Sequence, residues 1–459
     1  MSDLATEKNI TGNNFPSPQA VKRETMMLNV GPSHPAMHGI VRMIVELDGE
    51  TVQNADVEIG YLHRAFEKDS EQFGYLQVIP YTDRLNYVSP LINNIGYCMA
   101  VEKLFDLKAP ERAQYIRVIM SELSRVSDHL TCIAASAMEL GAFTVFLYMI
   151  KQREEIYQLV EEVTGARLTI SYARVGGVKG DLPEGFEAKC HTVIKKTREV
   201  LRECDQLLTH NRIFVDRVKN VGIISQKDAI SYSMTGPFLR STGIDFDVRR
   251  ATPYLVYDRF DFEIPVGSTG DCLDRYLVRM DEMEQSFRIV EQAYKQIPAG
   301  HVLVNEQGEV VKGEDLVDAA KMGETEGIVT KSATFDPTLA GYHKDNRAEV
   351  GTCNKRAAMP PKEETYSNIE GLMNHFKTVM VGHGTRPPAG EAYQAVEGAN
   401  GELGFYVVSD GTGTPYRVRV RPPCFTIMAG LHKVVEGDSM ADIIASFGSV
   451  NMIGGELDR

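Results

Sequence analysis

The stretch from residue 110 to residue 140 constrains the fold more than any other part of the chain. Its apolar residues recur at steps of three or four, which places them on one face of an amphipathic helix. They are Ile116, Met120, Leu123, Val126, Leu130, Ile133 and Ala137. Pro110 before Glu111 is typical of a helix start, and Gly141 is typical of a helix end. The sequence therefore predicts one long helix here.

Similar patterns predict further helices and, together, a helical bundle. They cover about residues 143–163, 186–210, 275–297 and 366–379. Long amphipathic helices of this kind pack against one another around a shared core. We therefore expect a bundle to form the main body of the 459-residue chain, which is long enough for two or more domains.

Strand-forming residues gather near both ends of the chain. Residues 26–30 and 40–47 flank a loop at 31–39, and this arrangement predicts a β-hairpin. Pro32 and Pro35 stiffen the tip, because proline fixes its own φ and disfavours helix in the preceding residue. A rigid tip that carries His34 and His38 suits a ligand better than it suits packing. Two more strands are predicted at 402–409 and 416–420.

These patterns divide the chain into five parts. They are a flexible N-terminal tail (1–24), a β region with the hairpin (25–66), a helical bundle core (67–304), a charged insertion (305–360) and a C-terminal helix and β element (361–459). The fourth part is weakly periodic, and so long an irregular stretch in a compact domain is usually a surface insertion.

The composition excludes several classes of function. The formal net charge is −14, so there is no basic excess to meet the phosphates of a nucleic acid. The longest apolar run, residues 141–150, is about half of a membrane span. The seven cysteines include no CxxC pair, which indicates a reducing compartment and no metal cluster held by this chain. Walker, GxGxxG, HExxH and GxSxG motifs are also missing from the sequence.

The two histidines of the hairpin tip allow more than one interpretation. The i,i+4 spacing of His34 and His38 would create a metal-binding face on a helix, and zinc is the metal that such a face suits. Pro35 lies between them and the surroundings are not helical, so zinc is the weaker interpretation. A structural loop and a ligand-binding tip both stay open on the residues alone.

Three further residues are candidates for binding or catalysis. Tyr87 lies between Pro80 and a predicted helix, where its phenol could donate to a ligand or simply pack. Glu139 ends the long helix among small and apolar neighbours. A carboxylate there is costly unless paired and opposes the helix dipole, which favours a specific partner such as histidine over a solvated helix end. Arg64 could hold an anion, although a surface salt bridge is the commoner fate of an arginine.

Taken together, these motifs resemble the 49-kDa-type (D-type) family of respiratory complex I, the NADH:quinone oxidoreductase. That family is related to the large subunit of nickel–iron hydrogenases. The resemblance extends from about residue 28 to residue 459, with residues 305–360 as a gap. The matching runs are 31–39, 60–68, 80–88, 140–142, 172–177, 265–276, 408–411 and 455–459.

The resemblance implies an α+β fold that is mainly α. It would have a hydrogenase-large-subunit-like helical bundle core, an N-terminal β-hairpin region and a small C-terminal β element. The cysteine pairs of the hydrogenases are absent from both ends of this sequence. Nickel binding and hydrogen chemistry are therefore not expected, and no metal site is assigned to the chain.

The resemblance also implies that the hairpin tip and a tyrosine of the core hold the headgroup of a quinone. These roles fall on His38 and Tyr87, which would donate protons to the two carbonyl oxygens of the ring. Glu139 would be the partner of His38. His34 would support the site without contacting the quinone itself.

Electrons would come from a 4Fe–4S cluster in a neighbouring protein of the complex. Arg64 and Arg84 would lie near that cluster, where positive charge stabilises the reduced form and raises its potential. The chain alone would bind no cofactor, and its substrate would be menaquinone or ubiquinone.

A wider set of expectations concerns the whole complex. The chain would be active only within a proton-translocating complex at the cytoplasmic side of the bacterial inner membrane, as a peripheral protein. Its neighbours would be the terminal-cluster (B-type) subunit, the C-type subunit and the membrane subunit that lines the quinone channel (H-type).

The sequence departs from the family pattern at three positions. Glu139 stands where relatives usually have aspartate, Asn86 where many have aspartate, and Thr169 where many have a histidine that titrates with the redox state of the cluster. Loss of that cationic partner should lower the cluster potential and its pH dependence. We therefore expect a low-potential quinone such as menaquinone.

Two functions other than quinone reduction are also compatible with the sequence. The chain could serve a ferredoxin-linked or membrane-bound hydrogenase-type complex, which would share the fold but use another donor or acceptor. It could also be a structural scaffold without quinone contact. The retention of His38, Tyr87 and a carboxylate at 139 favours the quinone site, because a scaffold needs none of these groups.

Overall fold

The computed structural model describes residues 25–34, 37, 40–304, 357–360, 362–380 and 384–459, without the side chains of 362–364. Three parts of the prediction lie outside the described residues: the tail (1–24), His38 and the greater part of the insertion (305–356).

The predicted hairpin is present and forms part of a three-stranded antiparallel sheet. The strands are β1 (Met26–Val30), β2 (Arg42–Asp48) and β3 (Thr51–Glu58), in the order β1-β2-β3. Strand β2 pairs Met43 with Val30 and Leu47 with Met26. Alternate residues of β2 are buried, so the sheet has one face on the core and one towards solvent.

A helical bundle follows, as predicted. Its elements are α1 (Phe66–Ser70), α2 (Tyr75–Thr82), α3 (Pro90–Phe105), α4 (Glu111–Glu139), α5 (Phe143–Thr164), β4 (Ala173–Arg174), β5 (Gly177–Val178), α6 (Phe186–Leu208), α7 (Arg212–Val218), α8 (Gln226–Ser231), α9 (Pro237–Arg240), α10 (Val248–Ala251), a 3-10 turn (Tyr257–Arg259) and α11 (Cys272–Gln296). Helix α4 packs against α3, α5 and α11, and α5 packs against α6.

The long helix α4 is more deeply buried than its amphipathic pattern predicts. Arg117, Glu122, Arg125 and His129 are all almost completely buried. Each has a charged partner, since a buried charge is costly unless it is paired and hydrogen-bonded. Arg117 bonds Glu102 at 2.5 Å, for example, and His129 lies 2.8 Å from Glu282.

The C-terminal part contains a second three-stranded sheet and a group of short helices. They are α12 (Lys362–Ser367), α13 (Ile369–Val379), β6 (Gly390–Glu397), β7 (Glu402–Ser409), β8 (Arg417–Arg421), α14 (Pro423–Ala429), α15 (Leu431–Val435), α16 (Asp442–Val450) and α17 (Gly454–Leu457). The sheet packs on α3, where Gly96 leaves room for Val396 and Phe405.

The structure corrects the predicted helix at 366–379. Two helices occupy this stretch, α12 and α13, and they are separated at Asn368. The Asn368 side chain accepts a hydrogen bond from the Glu370 backbone N–H at 2.9 Å and so starts a new helix. Ala357 and Ala358, near the end of the predicted insertion (305–360), are buried.

The N-terminal sheet meets the C-terminal helices. The Val52 backbone of β3 donates to the Asp438 carbonyl at 2.9 Å and accepts from Gly437 at 2.8 Å. The inward face of the sheet shares one hydrophobic cluster with α14 to α17. This cluster, called here the terminal core, supports the candidate site. Within the residues that can be described, no helix is both long and apolar enough to cross a bilayer.

Candidate functional site

The hairpin tip is anchored at its centre. Met37 is completely buried and belongs to the terminal core. It packs beside Gly31, whose φ of 90° lies in a region that favours glycine. His34 is exposed at the start of the tip. His38, the first predicted quinone ligand, follows Met37 in the chain and lies outside the described residues.

Tyr87 lies on a turn that polar side chains clamp to α4. Asn86 accepts the backbone N–H groups of Val88 and Ser89, both at 3.2 Å, and its amide donates to Asp128 at 3.0 Å. The Ser89 hydroxyl donates to the same Asp128 oxygen at 2.7 Å. The turn is therefore tied to the middle of the longest helix.

The phenol of Tyr87 is partly accessible from outside the chain. The residue is 38% exposed, although the following Val88 is buried in the terminal core. Burial raises the pKa of Tyr87, and the nearby Cys424 and Asp128 raise it further. The phenol consequently keeps its proton at neutral pH and can donate a hydrogen bond to a ligand.

Glu139 lies at the C-terminal end of α4, on the same face as Asp128. The two residues are eleven positions apart, or about 16 Å along the axis. Glu139 packs against α16, where a Cβ at Gly448 would come within 2.7 Å of its carboxylate. Burial raises the pKa of Glu139 to about 7. The carboxyl group can therefore gain or lose a proton near neutral pH.

Arg64 and Arg84 lie close together on another part of the surface. The pKa of Arg64 is lowered by partial burial and by the positive charge of Arg84. Arg84 donates to the Pro80 carbonyl at 2.6 Å and lies 3.4 Å from the buried Asp83. Two guanidinium groups on one surface, called here the arginine surface, fit a negatively charged group of a neighbouring molecule.

Thr169 lies in an exposed loop that is tied to the arginine surface. Ser171 of that loop donates to Asp83 through its backbone N–H at 3.0 Å and its hydroxyl at 2.7 Å. Since Asp83 precedes Arg84, the residues that the sequence predicts near the cluster are brought into one neighbourhood.

The C-terminal turn holds these loops together. A Cβ at Gly454 would overlap Ile40, which follows the hairpin tip, and a Cβ at Gly455 would overlap the carbonyl of Arg84. Asp458 accepts backbone N–H groups from Gly60 at 2.9 Å and from Leu62 at 2.7 Å. The tip, the Arg64 loop and the Tyr87 turn thus contact a single short segment.

The sequence analysis missed several polar residues behind Tyr87. Asn451 donates to Asp128 at 2.8 Å and to Asn400 at 2.5 Å. The backbone N–H of Cys424 donates to Glu456 at 3.0 Å, and Glu456 is 1% exposed. The sequence pattern could have indicated Asp128, because this residue lies in a polar run inside an apolar helix. The others come from separate segments, and no local pattern joins them.

The described residues limit the kinds of chemistry that the arrangement supports. In the described ranges, no three His, Cys, Asp or Glu side chains are close enough to hold a metal ion together. The six cysteines within those ranges are buried and unbridged. What the arrangement offers is a proton-bearing phenol, a carboxyl group that titrates near pH 7, and two adjacent cations.

Comparison with known proteins identifies curated relatives along nearly the whole chain. The D subunit of the NADH-quinone oxidoreductase of Myxococcus xanthus is 48% identical over 439 residues, covering 96% of this chain and 94% of the relative. The first of the numbered D subunits of Sorangium cellulosum is 46% identical over 436 residues, covering 95% and 96%. The C/D subunit of Bdellovibrio bacteriovorus is 46% identical over 432 residues, which cover 94% of this chain and 68% of that longer protein.

A family model gives the same result. The model described as "Respiratory-chain NADH dehydrogenase, 49 Kd subunit" matches residues 139–459, from the end of α4 onwards. The match covers more than two thirds of the chain, and the relatives extend it through the hairpin region. The chain therefore belongs to the 49 kDa (D-type) family of the NADH:quinone oxidoreductases of the respiratory chain.

Proposed function

We propose that this member of complex I forms the quinone-reduction site, in which Tyr87 and His38 donate to the two carbonyl oxygens of the quinone. The supporting observation is the terminal core. It contains both Met37, which precedes His38, and Val88, which follows Tyr87. One cluster thereby holds a chain neighbour of each candidate ligand, and a precise pair of donors needs such support.

The residues fit the chemistry of quinone reduction. Formation of a quinol takes two electrons and two protons. The raised pKa of Tyr87 keeps a proton available on the phenol. Glu139, in its ionised form, would stabilise a protonated His38 imidazole. One donor at each end of the ring would supply one proton each.

Electron supply would involve the arginine surface. A 4Fe–4S cluster of the B-type subunit would deliver the electrons, and Arg64 and Arg84 would face it. Their adjacent positive charges favour the arrival of an electron. Thr169, in the neighbouring loop, carries no titratable group, so we expect a cluster potential that depends weakly on pH and a low-potential quinone such as menaquinone.

The remaining partners follow from the same proposal. A relative whose name joins C and D in one chain supports a C-type neighbour. An H-type membrane subunit would admit the quinone from the bilayer, with this chain on the cytoplasmic side of the inner membrane. Reduction of the quinone would then drive proton translocation in the membrane part of the complex.

The test uses the purified complex with Tyr87→Phe and His38→Ala. Each variant should lower quinone reduction by about 100-fold, the usual loss when a proton donor is removed. Oxidation of NADH by a water-soluble acceptor that bypasses the quinone should be unchanged. Tyr81→Phe is a matched control, because Tyr81 is 39% exposed and stacks on Phe73. His210→Ala, on the surface between α6 and α7, is the control for His38.

Wild-type quinone reduction in both Tyr87→Phe and His38→Ala would contradict the proposal and favour the scaffold alternative. If ferredoxin but not NADH reduced the complex while both variants stayed inactive with quinone, the site would hold and the donor assignment would be wrong.

A further inference from the structure

A buried network of charged side chains lies inside the bundle, and the proposed mechanism does not use it. It contains four carboxyl groups and three guanidinium groups, each at most 2% exposed. The acids are Glu122, Asp247, Glu282 and Glu397, and the bases are Arg125, Arg240 and Arg249. Ion pairs of 2.6 to 3.6 Å connect these groups across α4, α11, β6 and the segment from α9 to α10.

This network has one carboxyl group more than its cations can balance. His129 lies 2.8 Å from Glu282, but burial lowers the pKa of the imidazole and so favours its neutral form. Within the described ranges, no further Lys or Arg forms an ion pair with the four acids. A buried charge without a partner is costly, so one of the four acids is expected to hold a proton.

Two of the four acids have strong cationic support. Glu122 lies between two guanidinium groups, 3.1 Å from Arg125 and 3.2 Å from Arg249. Asp247 accepts hydrogen bonds from Arg249 through both carboxylate oxygens, at 3.0 and 2.7 Å. These two acids are therefore well stabilised as carboxylates.

The other two acids share one guanidinium group. Arg240 donates through Nε to Glu282 at 2.7 Å and through Nη1 to Glu397 at 2.8 Å. Glu282 also has the His129 ring beside it, which can donate a further hydrogen bond. The second donor to the Glu397 carboxyl group, in the described part of the chain, is the backbone N–H of Val248 at 3.1 Å. Glu397 therefore has the weakest cationic support of the four.

The groups that face Glu397 come from several elements. They are Arg125 of α4, Arg240 of α9, Asp247 and Arg249 at the start of α10, and the Tyr254 hydroxyl, which accepts the Glu397 backbone N–H at 3.1 Å. Burial raises the pKa of Glu397 and the negative charge of Asp247 raises it further, while the three guanidinium groups lower it. The net effect is a raised pKa, in agreement with the charge balance.

We propose that Glu397 keeps a proton in the folded chain and forms a pH-sensitive lock between α4 and the turn at residues 398–401. Arg125 donates to the backbone carbonyls of Glu397 and Gly398, both at 2.8 Å, so α4 holds the start of this turn. Loss of the Glu397 proton to solvent gives the network an uncompensated negative charge. The turn anchored to the network then opens more readily. The inference stands independently of quinone binding.

The turn at 398–401 lies behind the candidate site. The Gly398 N–H donates to the Gly401 carbonyl at 2.7 Å and closes the turn. Within the turn, Asn400 accepts a hydrogen bond from Asn451, which also donates to Asp128. Opening of the turn would thus weaken one of the supports of the Tyr87 turn.

The test is hydrogen exchange of the whole complex at pH 6, 7 and 8, measured by mass spectrometry. In the opened turn the carboxyl group ionises near its ordinary pKa, and in the closed turn only at higher pH. Stability of the closed turn therefore falls as pH rises between these two values. After correction for the chemical exchange rate, opening at residues 397–401 should increase by up to about tenfold per pH unit, the limit for one proton.

Glu397→Gln imitates the protonated acid. Its opening at residues 397–401 should match that of wild type near pH 6 and stay constant up to pH 8. Glu282→Gln should also remove the pH dependence, because three acids would then face three guanidinium groups. Glu391→Gln is the matched control, since Glu391 is an exposed glutamate of the same strand. It should keep the wild-type dependence.

Two results would overturn the inference. One is wild-type opening at residues 397–401 that stays constant between pH 6 and pH 8. The other is a Glu397→Gln variant that opens far more than wild type already at pH 6, because the network would then need an ionised carboxylate at this position.

If Glu397→Gln does not assemble, the wild-type complex decides alone. Residues 113–118 serve as its internal control, because Arg117 and Glu102 balance each other there with one charge each. A pH dependence at 397–401 that is absent from 113–118 supports the lock. Equal dependence in the two segments overturns it.

Discussion

The amide nitrogen of Asn86 lies 3.0 Å from a carboxylate oxygen of Asp128, which joins the Tyr87 turn to the middle of α4. Because Asn86 also accepts two backbone N–H groups of the turn, one side chain both shapes the turn and attaches it. The family pattern predicts aspartate at this position in many relatives.

Replacing Asn86 with aspartate would place two buried carboxyl groups in contact. Such a pair shares a proton, so one folded-state pKa is raised above its unfolded value. A raised carboxyl pKa means that stability is present at low pH and is lost as pH rises through the folded pKa. We expect Asn86→Asp to cost about 1–3 kcal/mol, more at pH 8 than at pH 6.

Thermal unfolding of the complex at both pH values measures this effect. Asn211→Asp is the control, since Asn211 caps α7 at an exposed site. An unfolding temperature of Asn86→Asp that rises with pH relative to wild type would contradict the argument.

Gly455→Ala should disturb the Tyr87 turn from the opposite side. The new Cβ would overlap the carbonyl oxygen of Arg84 and come within 2.7 Å of that of Leu85, so the backbone must move. Overpacking of this kind costs about 1–3 kcal/mol. Quinone reduction should fall, with faster hydrogen exchange at residues 84–89. Gly180→Ala, where nothing lies within 4 Å of the new Cβ, should change neither quinone reduction nor hydrogen exchange. Equal effects of the two variants would contradict the idea that Gly455 holds the Tyr87 turn in place.

Glu139 should contribute an ionisation near pH 7 to quinone reduction. Its pKa is raised from 4.5 to about 7 by burial, so the carboxylate that would support His38 forms as pH rises through 7. Glu139→Gln should remove this rise from the pH profile and lower the rate on its alkaline side. Glu139→Asp should keep a rise. A glutamine variant with the wild-type profile would show that the carboxylate is not linked to the reaction.

The same ionisation of Glu139 has a consequence for stability. A raised carboxyl pKa in the folded state lowers stability as pH increases from the unfolded value towards 7. The stability of Glu139→Gln relative to that of wild type should therefore be higher at pH 8 than at pH 5. Thermal unfolding of the complex at the two pH values measures this difference.

If the proposed cluster of the B-type subunit faces the arginine surface, that surface should influence the midpoint potential of the cluster. Arg64→Ala and Arg84→Ala should each lower its midpoint potential by roughly tens of millivolts, because a positive charge near the cluster is lost. Thr169→His should raise the potential at low pH and make it pH-dependent, up to about 60 mV per pH unit for one proton and one electron. Redox titration followed by electron paramagnetic resonance of the cluster measures both changes. Unchanged midpoint potentials would exclude that these residues lie near the cluster.

Long periodic helices were predictable from the sequence, and short elements were not. Helix α4 begins one residue after Pro110 and ends at Glu139, as its apolar period indicated. Helices α1 and α2 were missed, because both are short and Pro80 lies inside α2. Tertiary packing stabilises elements of this length, and local sequence carries little signal for it.

The sequence suggested candidate residues only where a motif is contiguous, as for Tyr87, Glu139 and the two arginines, whose roles stay predictions. It could not suggest Asn451, because the relation of that residue to the Tyr87 turn depends on a hydrogen bond to Asp128 across 323 residues of sequence. The burial of Arg125 with Glu122 inside α4 was not predicted either, because the partners that enclose this pair come from distant segments.

The contact between Asp458 and the backbone at Gly60 spans 398 residues of sequence. The loop that carries Arg64 is therefore held by a residue that is synthesised long after it. Ile40, which follows the hairpin tip, likewise packs beside Gly454. Long-range contacts of this kind form late, since loop closure must precede them. A nascent chain would thus possess the bundle before it possesses the candidate site, which makes synthesis of the C-terminal turn a condition for completing that site.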